Sequence, residues 1–168
     1  MLRWLTDKIA ATAPQGTSLT EVVRAHLTGA DDEAARIVAA IVGLLGTVAY
    51  ADRNYAPAEE ARIRDELARV QGLTGAGIDA ICAALRTHIV EISTIEAPVY
   101  ARELLALAHR DLRLQVLAAL VDLAAADGEL SAVETNLLRL TVTALGLSQD
   151  DYNACQARHR DKLTVLKR

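Results

Sequence analysis

The chain has 168 residues and is 52% hydrophobic, which suits one domain with a sizeable core and argues against intrinsic disorder. A net charge of −4 and an aromatic content of 3% argue against a nucleic-acid binder, which needs a concentrated basic face and aromatic side chains for base stacking. Leu and Ala must form most of the core, and because both favour helices the composition predicts an all-α protein.

Apolar residues recur at three- and four-residue spacing along most of the chain, as in amphipathic helices. The first predicted helix, Leu2–Thr12, carries Trp4, and a flexible connector, Thr12–Ser18, follows it. The later predicted helices are Leu19–Leu27, Asp32–Ala51, Pro57–Gln71, Ala76–Ser93, Val99–His109, Leu112–Ala126, Ala132–Leu145 and Gln149–Leu163. We expect a compact bundle of about seven to nine helices, with residues 1–18 as N-terminal helix and connector and residues 19–168 as a single domain.

Glycines and hydroxyl residues mark helix ends at matching places. Gly72-Leu-Thr74 and Gly146-Leu-Ser148 each place a glycine after one helix and a capping hydroxyl before the next. The segments Ser131–Glu134 and Ser148–Asp151 are typical of capping boxes, in which a hydroxyl residue and an acid three positions later cap one helix together.

The chain also repeats itself at an offset of 75 residues. With this shift Ala49–Asp52 lies over Ala124–Asp127, and Glu59 lies over Glu134. Each unit, about residues 37–78 and 112–155, reads as an apolar helix, an acidic turn, a second helix, a glycine stop and a third helix. Because neither unit could bury its apolar helix alone, the repeat predicts pseudo-two-fold symmetry with the two apolar helices packed together at the centre.

Each unit places one carboxylate at the end of its apolar helix and another in the first turn of the next. Clustered carboxylate oxygens are the ligands of hard cations such as Ca²⁺ and Mg²⁺, and no His or Cys lies beside them. The pattern therefore predicts a divalent-cation site, and no other cofactor. The predicted metal ligands are Asp127, Glu129 and Glu134 in the second unit, and Asp52 and Glu59 in the first.

The same carboxylates also have a purely structural interpretation. Glu134 is the expected capping-box partner of Ser131, and acids in a first turn favour the helix dipole. In the first unit Arg53 replaces Gly128, and its positive charge would weaken a cation site there. Both interpretations stay open from the sequence alone.

No catalytic residues are predicted, because no motif pairs a nucleophile with a base. The four histidines do not cluster in the sequence, and Cys82 and Cys155 lie far apart, so we expect buried thiols in a reducing compartment. The most apolar stretch, Ile37–Ala51, is shorter than the roughly 20 residues of a membrane span and is interpreted as a core helix.

The doubled Ala-x-Ala-Asp…Glu unit with its Gly-Leu-Ser/Thr stop resembles the tellurite-resistance TerB-like family, over roughly Asp32 to Leu163. Its most specific parts are Leu123–Ser131 with Glu134, and Leu145–Ser148. A similar helical domain occurs at the front of some membrane-anchored DnaJ-like co-chaperones. The resemblance implies a bacterial, largely cytoplasmic protein without known catalytic activity, linked to tellurite and other stress resistance near the membrane, whose acidic turn residues are suspected of binding a metal ion.

The leading hypothesis is a non-catalytic stress-response module that binds protein partners, at the inner-membrane surface among other places, or a divalent cation. Two alternatives stay open: a metal-dependent enzyme that uses the same carboxylates, and a small-molecule binder with a pocket between the central helices. The sequence does not specify an oligomeric state.

Overall fold

The structure is a computed structural model that describes residues 17–159. Over this range the chain forms eight α-helices and no strand, which confirms the all-α prediction of about seven to nine helices. The helices are α1 Thr17–His26, α2 Asp32–Ala49, α3 Pro57–Leu67, α4 Gly75–Glu91, α5 Ala97–Leu107, α6 Arg110–Ala124, α7 Ala132–Ala144 and α8 Gln149–Ala157. The predicted helix Leu2–Thr12 lies outside the described residues. None of the helices in the described range has the length and hydropathy of a membrane span.

Helix α2 lies at the centre of the bundle and buries eleven of its 18 residues. It packs against α6, as predicted for the two apolar helices, but its most extensive contact is with α5. Small residues on α2 permit this close packing: a methyl group on Gly43 would overlap the ring of Tyr100, and one on Gly46 would lie 2.6 Å from Leu85 Cδ1. The core therefore depends on side-chain size along α2 as much as on hydrophobicity.

The predicted glycine turns and caps are present, but α3 ends at Leu67, four residues before the predicted Gln71. Gly72 and Gly146 both adopt left-handed φ angles, 91° and 65°, which glycine reaches without steric cost. The Ser148 hydroxyl accepts from the Asp151 N–H at 3.1 Å, and the Asp151 carboxylate accepts from the Ser148 N–H at 2.9 Å. The start of α1 also differs from the prediction, because α1 already includes Thr17 and Ser18, which were assigned to the connector. Hydroxyl residues favour caps, but a first helical turn also accepts them.

The two repeat units have the same order of elements. Helices α2 and α6 end 75 residues apart, and α3 and α7 begin 75 residues apart. The residues that cap α4 and α8 are 74 positions apart, as the single deletion in the alignment requires. The recurrence of helix, turn and helix is thus present in the structure, while the rotation that relates the units stays a prediction.

The largest departure from the predicted elements lies between α4 and α5. The sequence predicts two helices with a break before Val99, whereas the helical path continues from α4 through a π-helical turn, Ile92–Glu96, into α5. Pro98 lies in the first turn of α5, and its missing N–H removes one α-helical hydrogen bond at this point. Upstream, the Ser93 and Thr94 hydroxyls both donate to the Val90 carbonyl.

Candidate acidic site

The second acidic turn joins α6 to α7. Gly128 directly follows Asp127 and has a φ of 106°, which closes the turn in a conformation that favours glycine. At the start of α7 the Glu134 carboxylate accepts from the Ser131 N–H at 2.8 Å, and the Ser131 hydroxyl accepts from the Glu134 N–H at 3.1 Å. The predicted capping box is confirmed, so Glu134 has a structural role whatever else it does. Asp127 and Glu129 are exposed.

The first acidic turn also has a left-handed residue directly after its Asp, but its residues suit this conformation less well. Asp52 accepts from the Asn54 N–H at 2.8 Å, and Arg53 has a φ of 68° where the second turn has glycine. The Glu59 carboxylate accepts from the Ala56 N–H at 2.7 Å. Ala56 has no hydroxyl to return the bond, so only half of a capping box forms.

The structure brings the two turns close together. Burial raises the pKa of the Glu59 carboxyl, the bond from the Ala56 N–H opposes this shift, and the charges of Asp52, Asp127 and Glu134 raise the pKa further. Across the gap between the units, Arg62 Nη2 donates to the Ala126 carbonyl at 3.2 Å. Two predicted sites that lie far apart in sequence thus form one surface of four carboxylates, which we call the acidic face: Asp52, Glu59, Asp127 and Glu134.

The acidic face is not a ready-made metal cage. Among residues 17–159, no group of three His, Cys, Asp or Glu side chains is close enough to enclose an ion. Glu59 and Glu134 each use an oxygen to cap a helix. Glu129, the fifth predicted ligand, is exposed. The four carboxylates thus lie near one another without forming one coordination sphere.

A groove of about 520 Å³ lies between the central helices α2 and α6, where the sequence allowed a small-molecule pocket. Its walls are mainly apolar, from Val38, Ile41, Val42, Leu45, Leu67, Val70, Leu112, Val116, Ala118 and Ala119. Its polar lining comes from Glu66, Arg69, Gln115 and Asp122. Glu66 and Arg69 come from α3 and the turn after it, Gln115 and Asp122 come from α6, and no motif in the sequence singled them out.

A partly exposed arginine–carboxylate cluster was also missed from the sequence. The Glu60 carboxylate accepts from Arg86 at 2.8 Å and from Arg64 at 3.3 Å. Both bonds lower the pKa of Glu60, and the bond from Arg86 has the larger effect. Beside it Cys82 is fully buried, as predicted, and burial raises the pKa of its thiol. A protonated, inaccessible thiol is a packing group rather than a nucleophile. Cys155 is only half-buried.

Comparison with known proteins identifies the family of the chain. The sequence profile of the family described as tellurite resistance protein TerB matches residues 38–157, from within α2 to the end of α8. No curated protein and no solved structure gave a match. The matched region contains both repeat units and all four carboxylates of the acidic face, and it covers more than half of the sequence. The chain belongs to the TerB family.

Proposed function

We propose that this chain is a non-catalytic stress-response module whose acidic face binds a hard divalent cation, Ca²⁺ or Mg²⁺. The observation that supports the proposal is the raised pKa of Glu59, to which carboxylates from both turns contribute. A divalent cation between the turns would relieve this repulsion. Helix capping alone would not require the two turns to lie together.

The ligand atoms of the acidic face favour a hard cation, and we expect the cation to bind weakly. Its side-chain donors are carboxylate oxygens, and backbone carbonyls at the end of α6 add further oxygen donors. Two of the carboxylates, Glu59 and Glu134, already use one oxygen each to cap a helix, which leaves fewer oxygens for the ion. We therefore expect a dissociation constant of about 10⁻⁴–10⁻³ M, as in the weaker extracellular calcium modules.

The non-catalytic part of the proposal rests on the same bonds. Glu59 and Glu134 are held at helix starts by the backbone N–H groups of Ala56 and Ser131. A general acid or base must instead present its oxygen to a substrate within hydrogen-bond reach. A metal-dependent enzyme that uses these carboxylates stays the alternative hypothesis, and release of both caps on substrate binding would be its signature.

Family membership supports a role in resistance to tellurite or a related stress. We expect that role in the cytoplasm, with protein partners that include some at the inner-membrane surface. In this view the module acts by binding, and the acidic face either holds an ion that shapes a partner site or offers its charge to a partner directly.

Thermal and chemical denaturation with and without Ca²⁺, Mg²⁺ or Mn²⁺ test the cation site. A ten-fold excess of ion over its dissociation constant should stabilise the wild-type protein by about 1.4 kcal/mol. The Asp52→Asn and Asp127→Asn variants should each lose most of this gain. Asp150→Asn, in the first turn of α8, is the matched control and should keep it. A wild-type protein indifferent to all three ions at ten millimolar or so, well above the expected range of dissociation constants, would remove the cation site and leave capping as the role of these residues.

A second candidate function is supported by the groove between α2 and α6. Its volume of about 520 Å³ lies within the usual range for small-molecule sites, and its mixture of apolar walls and few polar groups is typical of them. Binding of the dye 8-anilinonaphthalene-1-sulfonate to the native protein would test it. Ala119→Leu should fill the groove and reduce dye binding, whereas Ala58→Leu on the exposed side of α3 should not. Equal dye binding to both variants would contradict a site in this groove.

A further inference from the structure

The groove between α2 and α6 continues at one end into a charged recess of about 170 Å³. The recess contacts α6 at Ala119, Asp122 and Leu123, near the end of that helix, whereas the aliphatic walls of the groove follow α6 back to Leu112. Several aliphatic wall residues are only half-buried by the rest of the described chain: Val38, Ile41, Val70, Leu112 and Ala119. The groove is thus an apolar surface with one charged end, and residues 17–159 leave it partly uncovered.

The chain itself arrives at the charged end of the groove. Helix α8 ends at Ala157, and in the turn that follows the His159 N–H donates to the Gln156 carbonyl at 2.8 Å. The His159 ring lies 2.7 Å from the Asp122 carboxylate, and the Arg158 guanidinium lies 3.6 Å from the same carboxylate. Because Asp122 lines both the groove and the recess, the residues after His159 start at the mouth of the groove.

We propose that residues 160–168, which we call the basic segment, bind in this groove. The segment is charged first and aliphatic afterwards, with Arg160, Asp161 and Lys162 followed by Leu163, Val165 and Leu166. The groove has the same order, because it is charged near Asp122 and aliphatic beyond it. Burial of the three aliphatic side chains against the walls would stabilise the bound segment.

The length of the segment suits the groove. From Asp122 to Leu112 the groove follows α6 for ten residues, or about 15 Å of helix. Residues 160–163 can span up to about 14 Å in extended conformation, and residues 160–166 up to about 25 Å. Leu163 can therefore reach the aliphatic walls, and Leu166 can reach their far end.

Charge also favours this occupant. The basic segment has four basic residues and one acid: Arg160, Lys162, Lys167 and Arg168, with Asp161. The groove and the recess together have three acids and two arginines: Asp65, Glu66 and Asp122, with Arg62 and Arg69. Arg69 Nη1 is already paired with the Glu66 carboxylate at 3.1 Å. The excess charge is therefore negative on the groove and positive on the segment, as in complementary interfaces.

The inference stands without cation binding and without a small-molecule ligand. Where the groove does bind a small molecule, as the second candidate function proposes, the basic segment occupies the same space. The segment would then compete with the ligand and lower its apparent affinity.

Nuclear Overhauser effects (NOEs) in the isotopically labelled 168-residue chain test the proposal. We expect NOEs from the methyl groups of the basic segment to those of Ile41 and Val116, and ¹H–¹⁵N heteronuclear NOE values at residues 163–166 close to those of α8. The double variant Leu163→Gln/Leu166→Gln should lower these heteronuclear values and remove the NOEs from Val165 to the groove.

Thr164→Gln is the matched control, because it changes a polar position of the same segment, and it should keep the wild-type NOEs. From the side of the groove, Ala119→Leu should weaken the NOEs and Ala58→Leu, on the exposed side of α3, should not. The signals of the core residue Leu120 should stay in place in the double variant, which separates loss of binding from loss of the fold.

A wild-type chain without NOEs between the segment and the groove would overturn the proposal, whether or not the segment is ordered. Val165 NOEs that survive in the double variant would also overturn it. In a mixture of labelled and unlabelled protein, NOEs found only between copies would assign the groove to the segment of a second copy and contradict binding within one chain.

Dye binding separates this inference from the second candidate function. If the groove takes small molecules, the double variant should bind 8-anilinonaphthalene-1-sulfonate more tightly than wild type, because the competing segment has left. Dye bound by neither protein would count against the small-molecule site alone, since the NOEs report the position of the segment directly.

Discussion

The two acidic turns share a backbone conformation but differ in how well their residues suit it. Both place a left-handed residue directly after the Asp, Gly128 in the second turn and Arg53 in the first. The second turn has a complete capping box from Ser131, whereas the first has Ala56, which has no hydroxyl. The first turn thus has the carboxylates without the residues that make the turn locally stable. Asp52 and Glu59 nevertheless each accept a backbone N–H in the first turn, so both carboxylates keep a local role there.

The largest expected effects compare the central helices. Leu45 and Leu120 occupy equivalent positions in the repeat, and both are almost fully buried, at 1% and 0% exposure. Replacing either with Ala should lower the free energy of unfolding by about 2–5 kcal/mol, because the lost contacts leave a cavity in a close-packed core. Urea denaturation measures this loss. A change within about 0.5 kcal/mol for one of them would show that the units do not share one core.

The second comparison exchanges the left-handed residues. Gly128→Ala should cost about 1–2 kcal/mol, because a Cβ disfavours this conformation. Arg53→Gly should stabilise by roughly 0.5–1 kcal/mol, since relief of strain exceeds the added entropy of the unfolded chain. Gly75→Ala is the control, because Gly75 has open space around its Cα and is not left-handed, and it should be neutral or slightly stabilising. Destabilisation by Arg53→Gly would mean that the Arg53 side chain makes a contact worth more than the strain.

The third comparison exchanges the caps. Ser131→Ala should cost about 1 kcal/mol, because the Glu134 N–H loses its acceptor. Ala56→Ser should complete the capping box of the first turn and gain up to about the same amount. Thermal melts of the two single variants measure both effects. Two variants of unchanged stability would show that solvent caps these helices as well as the hydroxyl does.

The smallest expected effect concerns pH. Because the pKa of Glu59 is raised in the folded protein, the folded state binds this proton more tightly than the unfolded chain does. The stability gained is complete below the ordinary value of 4.5 and is lost as the pH rises through the folded pKa. Glu59→Gln, which still accepts from the Ala56 N–H, should therefore lose less stability than wild type between pH 4.5 and neutrality.

Asp151 provides the control of opposite sign. Bonds from the Ser148 N–H and hydroxyl and from Arg110 lower the pKa of Asp151, so its contribution is present above the ordinary pKa of 3.8 and is lost as the pH falls. Asp151→Asn should reduce the loss of stability in acid. Urea denaturation across the pH range compares both variants with wild type. Parallel curves for Glu59→Gln and wild type would contradict the raised pKa of Glu59.

The sequence predicted those features that depend on neighbouring residues. Helix periodicity, the left-handed Gly72 and Gly146, and the capping boxes follow from local sterics and hydrogen bonding, and the structure has them. The π-helical turn was missed, because the pattern around Pro98 is equally compatible with a break between two helices. Tertiary packing determines which of these two local conformations forms.

The proximity of the two acidic turns was not predicted from the sequence, for a different reason. The sequence identified Asp52, Glu59, Asp127 and Glu134 individually, but their meeting depends on how the repeat units pack. The repeat itself was the available signal, because a two-fold axis between two units brings equivalent turns to one side of the molecule. The polar lining of the groove between α2 and α6 gave no such signal, since Glu66 and Arg69 come from α3 and the turn after it, and Gln115 and Asp122 come from α6.

The central claim is that the two turns act as one cation-binding face, and a Ca²⁺ titration followed by ¹H–¹⁵N NMR tests it most directly. The amide signals of Asn54 in the first turn and Gly128 in the second should shift together, with one shared dissociation constant. Asp52→Asn, a change in the first turn alone, should weaken the affinity measured at Gly128. Shifts confined to one turn, two independent dissociation constants, or no shift at either turn would contradict the claim.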